Sequence, residues 1–346
     1  MIVPSSSRSR VAAGPGQVTR RQFTAAAAGG LLLATAHHLA PGQALAAPTK
    51  SLPVIDTHMH VWSGNLQRWP FDHPYNPGFK SKTTAATGEI LIEEMDRFGV
   101  THCILVQTIF HGWDNTYTVH CLEKYPGRFK AHGLIDPTDP RVAEKLEYWM
   151  KEQGLSGMRF SPIYYVNGNH GGDDWLTSRA HHQAWKKAGE LGAVFNYFIH
   201  TDQLPKLEQM VRHYPQVSIV IDHMSQIDLG VDDPLPALKK LLALSRYPNV
   251  AVKISDLTSV SKSGKYPFPD AYPWVKRVYD AFGPDRLLWG TGYPGVVRAD
   301  FQRPTVKKEL ELIRQHVPFF TDQDRAKILG LNAARIWKIP LAKQPS

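Results

Sequence analysis

Residues Val54-Ile55-Asp56-Thr57-His58-Met59-His60 form a short apolar run that ends in two histidines. A doubly wound dinucleotide-binding sheet would need a glycine-rich phosphate turn after its first strand, and this stretch contains none. Side chains alternate along a strand, so Asp56, His58 and His60 are predicted to point the same way. On a barrel strand that direction is inward, at the end where active sites form.

Seven further short, β-branched-rich runs follow, and most are preceded by a stretch of helical character. The eight predicted strands are 54–56, 102–107, 131–135, 157–160, 193–199, 217–221, 250–254 and 287–290. Strands that are buried on both faces read as continuous apolar runs, which is the pattern seen here. Eight such units in about 300 residues predict an α/β protein with a single (β/α)₈ TIM barrel.

The composition is that of an ordinary globular protein, with 42% hydrophobic and 21% charged residues among 346. It excludes a disordered tail protein and a disulfide-stapled miniprotein. The net charge is +9, but residues 1–46 carry four arginines and no acid. Because no Lys/Arg run marks a binding stripe elsewhere, we expect no nucleic-acid partner. Cys103 and Cys121 are expected to be buried thiols, although an oxidising compartment would permit a disulfide.

The first 46 residues have the order of an export signal. Arg20-Arg21 precede an apolar stretch, and the small residues Ala44-Leu45-Ala46 follow it. With Phe23, the arginine pair resembles a twin-arginine signal, which implies the twin-arginine export machinery as a partner and a periplasmic or secreted protein. The apolar stretch is shorter than the roughly 20 residues that span a bilayer, so we expect no stable membrane span after cleavage. Residues 47–346 then form the barrel domain.

Histidines also stand at the ends of two later predicted strands. His200 ends the run at 193–199, and Asp222-His223 ends the run at 217–221. Neutral imidazoles offer nitrogen lone pairs, and two of them on one strand can bind one divalent ion. Because the carboxyl ends of barrel strands meet at one rim, the sequence predicts a shared site there.

Several motifs accompany these histidines: residues 56–62, Trp113-Asp114-Asn115, Tyr125-Pro126-Gly127-Arg128-Phe129, Asp136-Pro137, Gly157-Met158-Arg159-Phe160, Asp222-His223-Met224 and Trp289-Gly290-Thr291. Together they resemble the amidohydrolase superfamily, specifically the amidohydrolase-2 group of lactonases and decarboxylases, over nearly all of residues 52–340. The resemblance implies a barrel of the metal-dependent hydrolase type. It also implies a divalent metal ion, with zinc as the first expectation, held by His58, His60 and His200. Relatives that work without metal leave open that none is bound.

The same resemblance implies that His223 assists catalysis as proton acceptor or carbonyl polariser. In the family an aspartate usually follows the eighth strand as ligand and general base, but this sequence has Gly292 there. Glycine carries no carboxylate, so another group must accept the proton. Asp256, after the seventh strand, is the first candidate substitute, while Asp114, Asp222 and a histidine base remain open.

Cationic and aromatic side chains near the predicted strand ends suggest contacts with the substrate. Arg159, Lys253 and Arg298 could pair with an anionic group, and structural salt bridges would explain each of them equally well. Tyr164 could line a pocket for a ring. The long loop at 61–88, rich in proline, glycine and aromatic residues, is typical of a lid or pocket wall.

We therefore expect an exported hydrolase that acts on a small cyclic ester, a lactone, or on a related C–O or C–N bond of an anionic substrate. One alternative is a non-oxidative decarboxylase of an aromatic or muconate-like acid. The other is a non-catalytic binding protein that lost its base at Gly292. The sequence does not indicate an oligomeric state.

Overall fold

A computed structural model describes residues 52–80 and 85–341 of the chain. The proposed signal at 1–46 lies outside these residues. Eight parallel strands neighbour one another in chain order: β1 (Ile55–Met59), β2 (His102–Val106), β3 (Phe129–Gly133), β4 (Gly157–Phe160), β5 (Val194–Tyr197), β6 (Ser218–Ile221), β7 (Val250–Lys253) and β8 (Leu287–Leu288). The predicted TIM barrel is confirmed, and each strand overlaps one of the predicted runs.

The α-helices are α1 (Gly88–Phe98), α2 (Thr116–Lys124), α3 (Val142–Lys151), α4 (Arg179–Leu191), α5 (Leu204–His213), α6 (Leu235–Ala243), α7 (Leu257–Val260), α8 (Tyr272–Phe282), α9 (Val297–Asp300), α10 (Val306–Glu311), α11 (Asp322–Ala326) and α12 (Asn332–Ile336). Two π-helical turns, Leu312–His316 and Lys327–Leu331, continue α10 and α11. Among the described residues, no helix combines the length and hydropathy that crossing a membrane requires.

Helix ends follow local chemistry that the sequence already contains. The Thr87 hydroxyl accepts a hydrogen bond from the backbone N–H of Ile90 at the start of α1, and Gly99 ends that helix with a left-handed φ of 72°. Ser178 and Gly192 bound α4 in the same way. These caps satisfy backbone groups that a helix end would otherwise leave without partners.

Closure of the barrel depends on contacts between β1 and the segment that follows β8. The backbone N–H and the hydroxyl of Thr57 both donate to the carbonyl of Trp289, at 3.1 and 2.6 Å. Farther along, Gly292 N donates to His58 O at 2.7 Å, and His60 N donates to Gly292 O at 2.8 Å. The histidine-bearing end of β1 is therefore fixed by backbone hydrogen bonds on this side.

Large apolar side chains fill the space between the barrel and its helices, and a smaller cluster that includes Ile55, Val220 and Trp337 lies apart from this main core. Cys103 and Cys121 are both buried free thiols, as expected of small hydrophobic residues.

Gly157 marks a position where β4 and β5 approach too closely for a side chain. An added Cβ would lie 1.9 Å from the carbonyl oxygen of Val194, whereas at Gly154 it would meet nothing within 4 Å. Both glycines have positive φ, at 153° and 75°, so the backbone conformation disfavours a side chain at each position.

We predict that Gly157→Ala lowers the free energy of unfolding by more than about 3 kcal/mol, because backbone must shift to admit the methyl group. Gly154→Ala is the matched control and should lose about 1–2 kcal/mol from its left-handed backbone alone. Urea unfolding followed by circular dichroism measures both values. Equal losses in the two variants would contradict the close approach of β4 and β5.

Candidate active site

Asp56 is a buried carboxylate at the seam between β1 and the segment after β8. Its Oδ1 accepts from the backbone N–H groups of His58 and Thr291, at 3.0 and 3.1 Å, and its Oδ2 accepts from the Thr291 hydroxyl at 2.6 Å. Burial raises the pKa of Asp56 to about 6, although these hydrogen bonds oppose the shift. A side chain at position 290 would not fit here, because a Cβ added to Gly290 would lie 2.7 Å from the Cβ of His58. The seam thus fixes the backbone of His58.

His58 and His60 point to the same place, as strand alternation predicts. Their Nε2 atoms are 3.1 Å apart. The Nδ1 of His60 lies 2.7 Å from the carbonyl of Val106, and since a carbonyl can only accept, this nitrogen carries the proton. The Nε2 of His60 therefore has a lone pair directed at His58.

Asp222 lies behind His58 as a fully buried carboxylate between two cations. Lys253 Nζ is 3.0 Å from its Oδ1, Arg159 Nε donates to its Oδ2 at 3.0 Å, and His58 Nδ1 is 3.3 Å from its Oδ1. Burial alone would raise the pKa of Asp222, but Lys253, His58 and Arg159 hold that pKa well below its ordinary range. Asn196 Oδ1 accepts a further hydrogen bond from Lys253 at 2.8 Å. Asp222 is therefore ionised, and it holds Lys253, Arg159 and the His58 ring around it.

His223 follows β6 in a left-handed conformation with φ 47°. Its Nδ1 lies 2.9 Å from the Ser255 hydroxyl, and its ring centre lies 4.5 Å from that of His58. Burial lowers the pKa of His223 to about 3, with Asp222 opposing the shift. The imidazole is therefore neutral near pH 7 and offers a lone pair.

These side chains open into a cavity of about 160 Å³ at the carboxyl end of the barrel. The lining residues are His58, His60, Thr108, Ile109, Phe110, Arg159, Tyr164, Phe198, His223, Asp256, Gly290, Thr291, Gly292, Tyr293, Phe301 and Arg303. Aromatic rings make up much of the wall, and the Arg159 guanidinium lies 4.4 Å from the ring centre of Phe198. Such a cavity suits a small planar molecule that carries negative charge.

Six of the nine site residues predicted from the sequence line this cavity: His58, His60, His223, Asp256, Arg159 and Tyr164. The described part of the loop at 61–88, predicted as a lid or pocket wall, contributes none of the cavity-lining residues, but its Tyr75 stacks at 4.8 Å on the ring of Tyr164, which does line the cavity.

The structure does not bring His200, Lys253 or Arg298 to the cavity wall. His200 begins a short 3₁₀ turn, and its Nδ1 accepts from Asp202 N at 3.3 Å, with the side chain 36% exposed. Lys253 is fully buried beneath His58, with its ammonium directed at Asp222. Arg298 is buried as well, and it donates to the carbonyl of Tyr293 at 2.6 Å. The predicted roles of metal ligand and substrate contact therefore have no support from these three positions.

Sequence reasoning also missed residues that the structure places at the site. Arg303 and Phe198 line the cavity, and Ser255 contacts His223. Asp222 was considered as a base, but it acts as the buried counter-ion of Lys253 and Arg159. Its place directly before His223 at the end of β6 was the signal that could have identified it.

The nitrogen donors fit a divalent metal ion. Zinc bound by imidazole at about 2.0–2.1 Å in a tetrahedron separates neighbouring ligand nitrogens by about 3.3 Å. The His58 and His60 Nε2 atoms are 3.1 Å apart, close to that value. His58, Asp222 and His223 also offer donor atoms within 4.8 Å of one another. The outer nitrogens of the pair contact Asp222 and the Val106 carbonyl, the type of support that metal-bound histidines usually have.

A family model described as "Amidohydrolase" matches residues 55–339. The chain belongs to the amidohydrolase-2 family. Two curated members are similar along most of this amidohydrolase. The 4-sulfomuconolactone hydrolase of Hydrogenophaga intermedia is 26% identical and aligns with 87% of this chain and 92% of its own. The 2-pyrone-4,6-dicarbaxylate hydrolase of Comamonas testosteroni is 28% identical over 71% of this chain and 79% of its own.

A solved structure shares the fold of this amidohydrolase. An amidohydrolase from Burkholderia multivorans, crystallised with bound zinc, superposes with a TM-score of 0.67 at 19% identity. The alignment extends over 83% of this chain and all of that one. At this level of identity the comparison establishes the common barrel.

We predict that Asp222→Asn lowers the free energy of unfolding by about 3–5 kcal/mol, because it leaves two buried cations without their counter-ion. Asp280→Asn is the matched control, since Asp280 pairs with Lys276 at the surface and both side chains are about half exposed. That variant should lose at most about 1 kcal/mol. Urea unfolding of the two variants tests the difference, and similar losses would contradict the proposed role of Asp222.

We also predict that His60→Ala weakens zinc binding at least about 100-fold, because it removes one of two converging nitrogens. His200→Ala should bind zinc as the wild type does, since its imidazole caps a turn instead. Competition with a chromophoric chelator gives both affinities. A large loss in His200→Ala would show that the ligand set includes a residue which the geometry excludes.

Proposed function

We propose that this chain is a lactonase, a hydrolase that opens the ring of a small anionic cyclic ester. The observation that carries the proposal is the cavity itself, where a neutral histidine, a pair of converging imidazoles and an arginine face one small space. Two relatives that align with more than two thirds of this chain are named for lactone or pyrone hydrolysis, which supports the same reaction class.

Arg159 and the aromatic wall would bind the substrate. The Nε of Arg159 is used by Asp222, while the residue also lines the cavity, so the rest of the planar guanidinium can pair with a carboxylate or sulfonate. Tyr164 and Phe198 lie on the same side and offer faces for a flat ring. Binding in this way orients the ester carbonyl relative to the histidines.

His58 and His60 would hold the divalent metal ion, which when bound polarises a carbonyl and lowers the pKa of water. The residues beneath them keep these imidazoles in place. The Val106 carbonyl accepts from His60 Nδ1–H, so the Nε2 of His60 presents a lone pair. The Nδ1 of His58 lies 3.3 Å from Asp222 Oδ1 and 3.1 Å from Lys253 Nζ, and with its proton on Nδ1, directed at Asp222, His58 would present its Nε2 lone pair as well. Lys253 balances the charge of Asp222 and prevents that carboxylate from taking the proton itself.

His223 would accept the proton that hydrolysis releases. A water oxygen attacks the ester carbonyl carbon while the Nε2 lone pair of His223 takes one water proton. The ring C–O bond then breaks, and His223 returns that proton to the departing oxygen, giving a hydroxy acid or its keto form. If the Ser255 hydroxyl, 2.9 Å from Nδ1, accepts from Nδ1–H, it would hold the ring in the tautomer that this transfer needs.

Gly292 leaves the place of the usual aspartate without a carboxylate, and its backbone instead bonds to β1. Asp256 lies on the same cavity wall and is the second candidate for proton acceptance, although Arg303 contacts its carboxylate. Asp114 does not line the cavity, and the Asp56 carboxylate is taken up by hydrogen bonds at the barrel seam. His223 is therefore the preferred proton acceptor.

The test is a panel of carboxylated five- and six-membered lactones, incubated with zinc-loaded protein and followed by proton NMR in ¹⁸O-labelled water. We expect ring opening with one ¹⁸O atom in the product. Release of carbon dioxide from aromatic or muconate-like acids would instead identify a decarboxylase. Tight binding without turnover of any substrate would identify a binding protein.

For any lactone that is hydrolysed, we predict that His223→Gln lowers kcat by about 10²–10⁴-fold, because general base catalysis contributes that much. His213→Gln removes an exposed histidine at the end of α5 and should leave kcat unchanged. Steady-state kinetics at pH 7 measure both variants. A His223→Gln enzyme with wild-type kcat would exclude His223 as the proton acceptor.

A further inference from the structure

Arg303 and Asp256 form an ion pair on the cavity wall. Asp256 follows β7, Arg303 lies beyond α9, and the guanidinium Nη1 contacts the carboxylate Oδ1. Both residues line the cavity, and their side chains are 17% and 10% exposed. Arg298 was predicted to bind an anionic group, but the structure places Arg303 at the cavity instead.

The backbone at both ends of this pair is fixed. Asp256 caps α7, where its Oδ1 accepts from Ser259 N at 3.3 Å. Arg303 N donates to Arg298 O at 2.8 Å, and Arg298 in turn is tied to the Tyr293 carbonyl. Arg303 Nη1 also lies 3.3 Å from the Ser259 hydroxyl. A change of partner by the guanidinium therefore requires movement of side-chain ends and no rearrangement of the loops.

The two arginines of the cavity have counter-ions of different kinds. Asp222, the partner of Arg159, is fully buried and also neutralises Lys253, so removing it from that pair would leave buried charge uncompensated. Asp256 lines the cavity, and among the described residues Arg303 is its one ion-pair partner. Because Asp256 faces the cavity and has one cationic partner, another anion that replaces it on Arg303 keeps the guanidinium paired and leaves a single carboxylate at the cavity wall.

The arginines also stand on different sides of the barrel. Arg159 is on β4, whereas the Arg303 side chain contacts Asp256 and Ser259, which follow β7, three strands farther around the barrel. A flat molecule whose one end meets Arg159 would direct its other end toward Arg303. A negative group at that end would encounter a cation whose present partner can be displaced.

We propose that Arg303 and Asp256 are an exchange pair that determines substrate selectivity: an anionic group of the substrate replaces Asp256 on the Arg303 guanidinium. Arg303 is then the specificity-determining residue for the second negative group, and Asp256 is the internal competitor for the same site. This inference rests on the proposed function only in that the cavity receives a small anionic molecule.

The exchange predicts that substitutions of Arg303 and Asp256 change the affinity for a dicarboxylate in opposite directions. Isothermal titration calorimetry with isophthalate, a flat dicarboxylate, and benzoate, its monocarboxylate counterpart, measures the selectivity without any turnover. Wild-type protein should bind isophthalate more tightly than benzoate. Arg303→Gln should weaken isophthalate binding by about tenfold or more and leave benzoate nearly unchanged. Asp256→Asn should bind isophthalate several-fold more tightly, because the competing charge is gone.

Arg314→Gln is the matched control, since it removes the same charge from an exposed position outside the cavity, and it should leave both affinities unchanged. Arg303→Lys keeps the charge without the bidentate fork and should give intermediate affinity for isophthalate. It also provides the test if Arg303→Gln does not fold. Melting temperatures confirm that each variant is folded.

Equal weakening of isophthalate binding in Arg303→Gln and Asp256→Asn would overturn the proposal, because that is the result expected of a purely structural salt bridge. Wild-type protein that binds benzoate as tightly as isophthalate would overturn it as well. The opposite effects, found in a protein that opens no lactone, would support the exchange pair and reject the lactonase function. Lactone hydrolysis together with unchanged selectivity in Arg303→Gln would support the lactonase function and reject the exchange pair.

Discussion

The ionised carboxylate of Asp222 is the interaction on which the rest of the site depends. It joins side chains from three strands, since His58 is on β1, Arg159 on β4 and Lys253 on β7. In a medium with little water each of these charges would be costly alone, and together they compensate one another. The cluster therefore sets the positions of the imidazole pair and of the arginine that faces the cavity, and it links barrel stability to the geometry of the chemistry.

Burial disfavours the charged forms of both His223 and Asp222, but the two groups end in different protonation states. It keeps His223 neutral, with a pKa lowered to about 3, so a lone pair is present although no free carboxylate faces it. Burial would also neutralise Asp222, but the adjoining Lys253 and Arg159 keep that carboxylate charged. With Gly292 at the position of the family's usual aspartate, the neutral imidazole of His223 would supply the proton acceptor. The aromatic wall and the two arginines would then add the proposed selectivity for flat, negatively charged molecules.

Most of the fold was predictable from the sequence because strands buried on both faces produce continuous apolar runs that need no tertiary information. The convergence of His58 and His60 was predictable for a similar reason, since strand alternation places residues two apart on one side. His200 was not, because the chain turns into a 3₁₀ helix directly after it and the ring becomes a cap. The anion-binding arginine was not predictable either, because only the structure shows that Arg298 bonds to the Tyr293 carbonyl while Arg303 lines the cavity.

Gly292 has a φ of 100°, which side-chain-bearing residues rarely adopt, while the space around its missing Cβ is empty. Replacing Gly292 by aspartate would therefore do more than add a carboxylate, because the main chain here has a conformation that a residue with a side chain adopts only with strain. An aspartate introduced at this position would have to adopt this unfavourable backbone conformation or change the turn. The backbone at Gly292 therefore disfavours a carboxylate at this position, and the proposed reaction needs a proton acceptor from another part of the barrel rim.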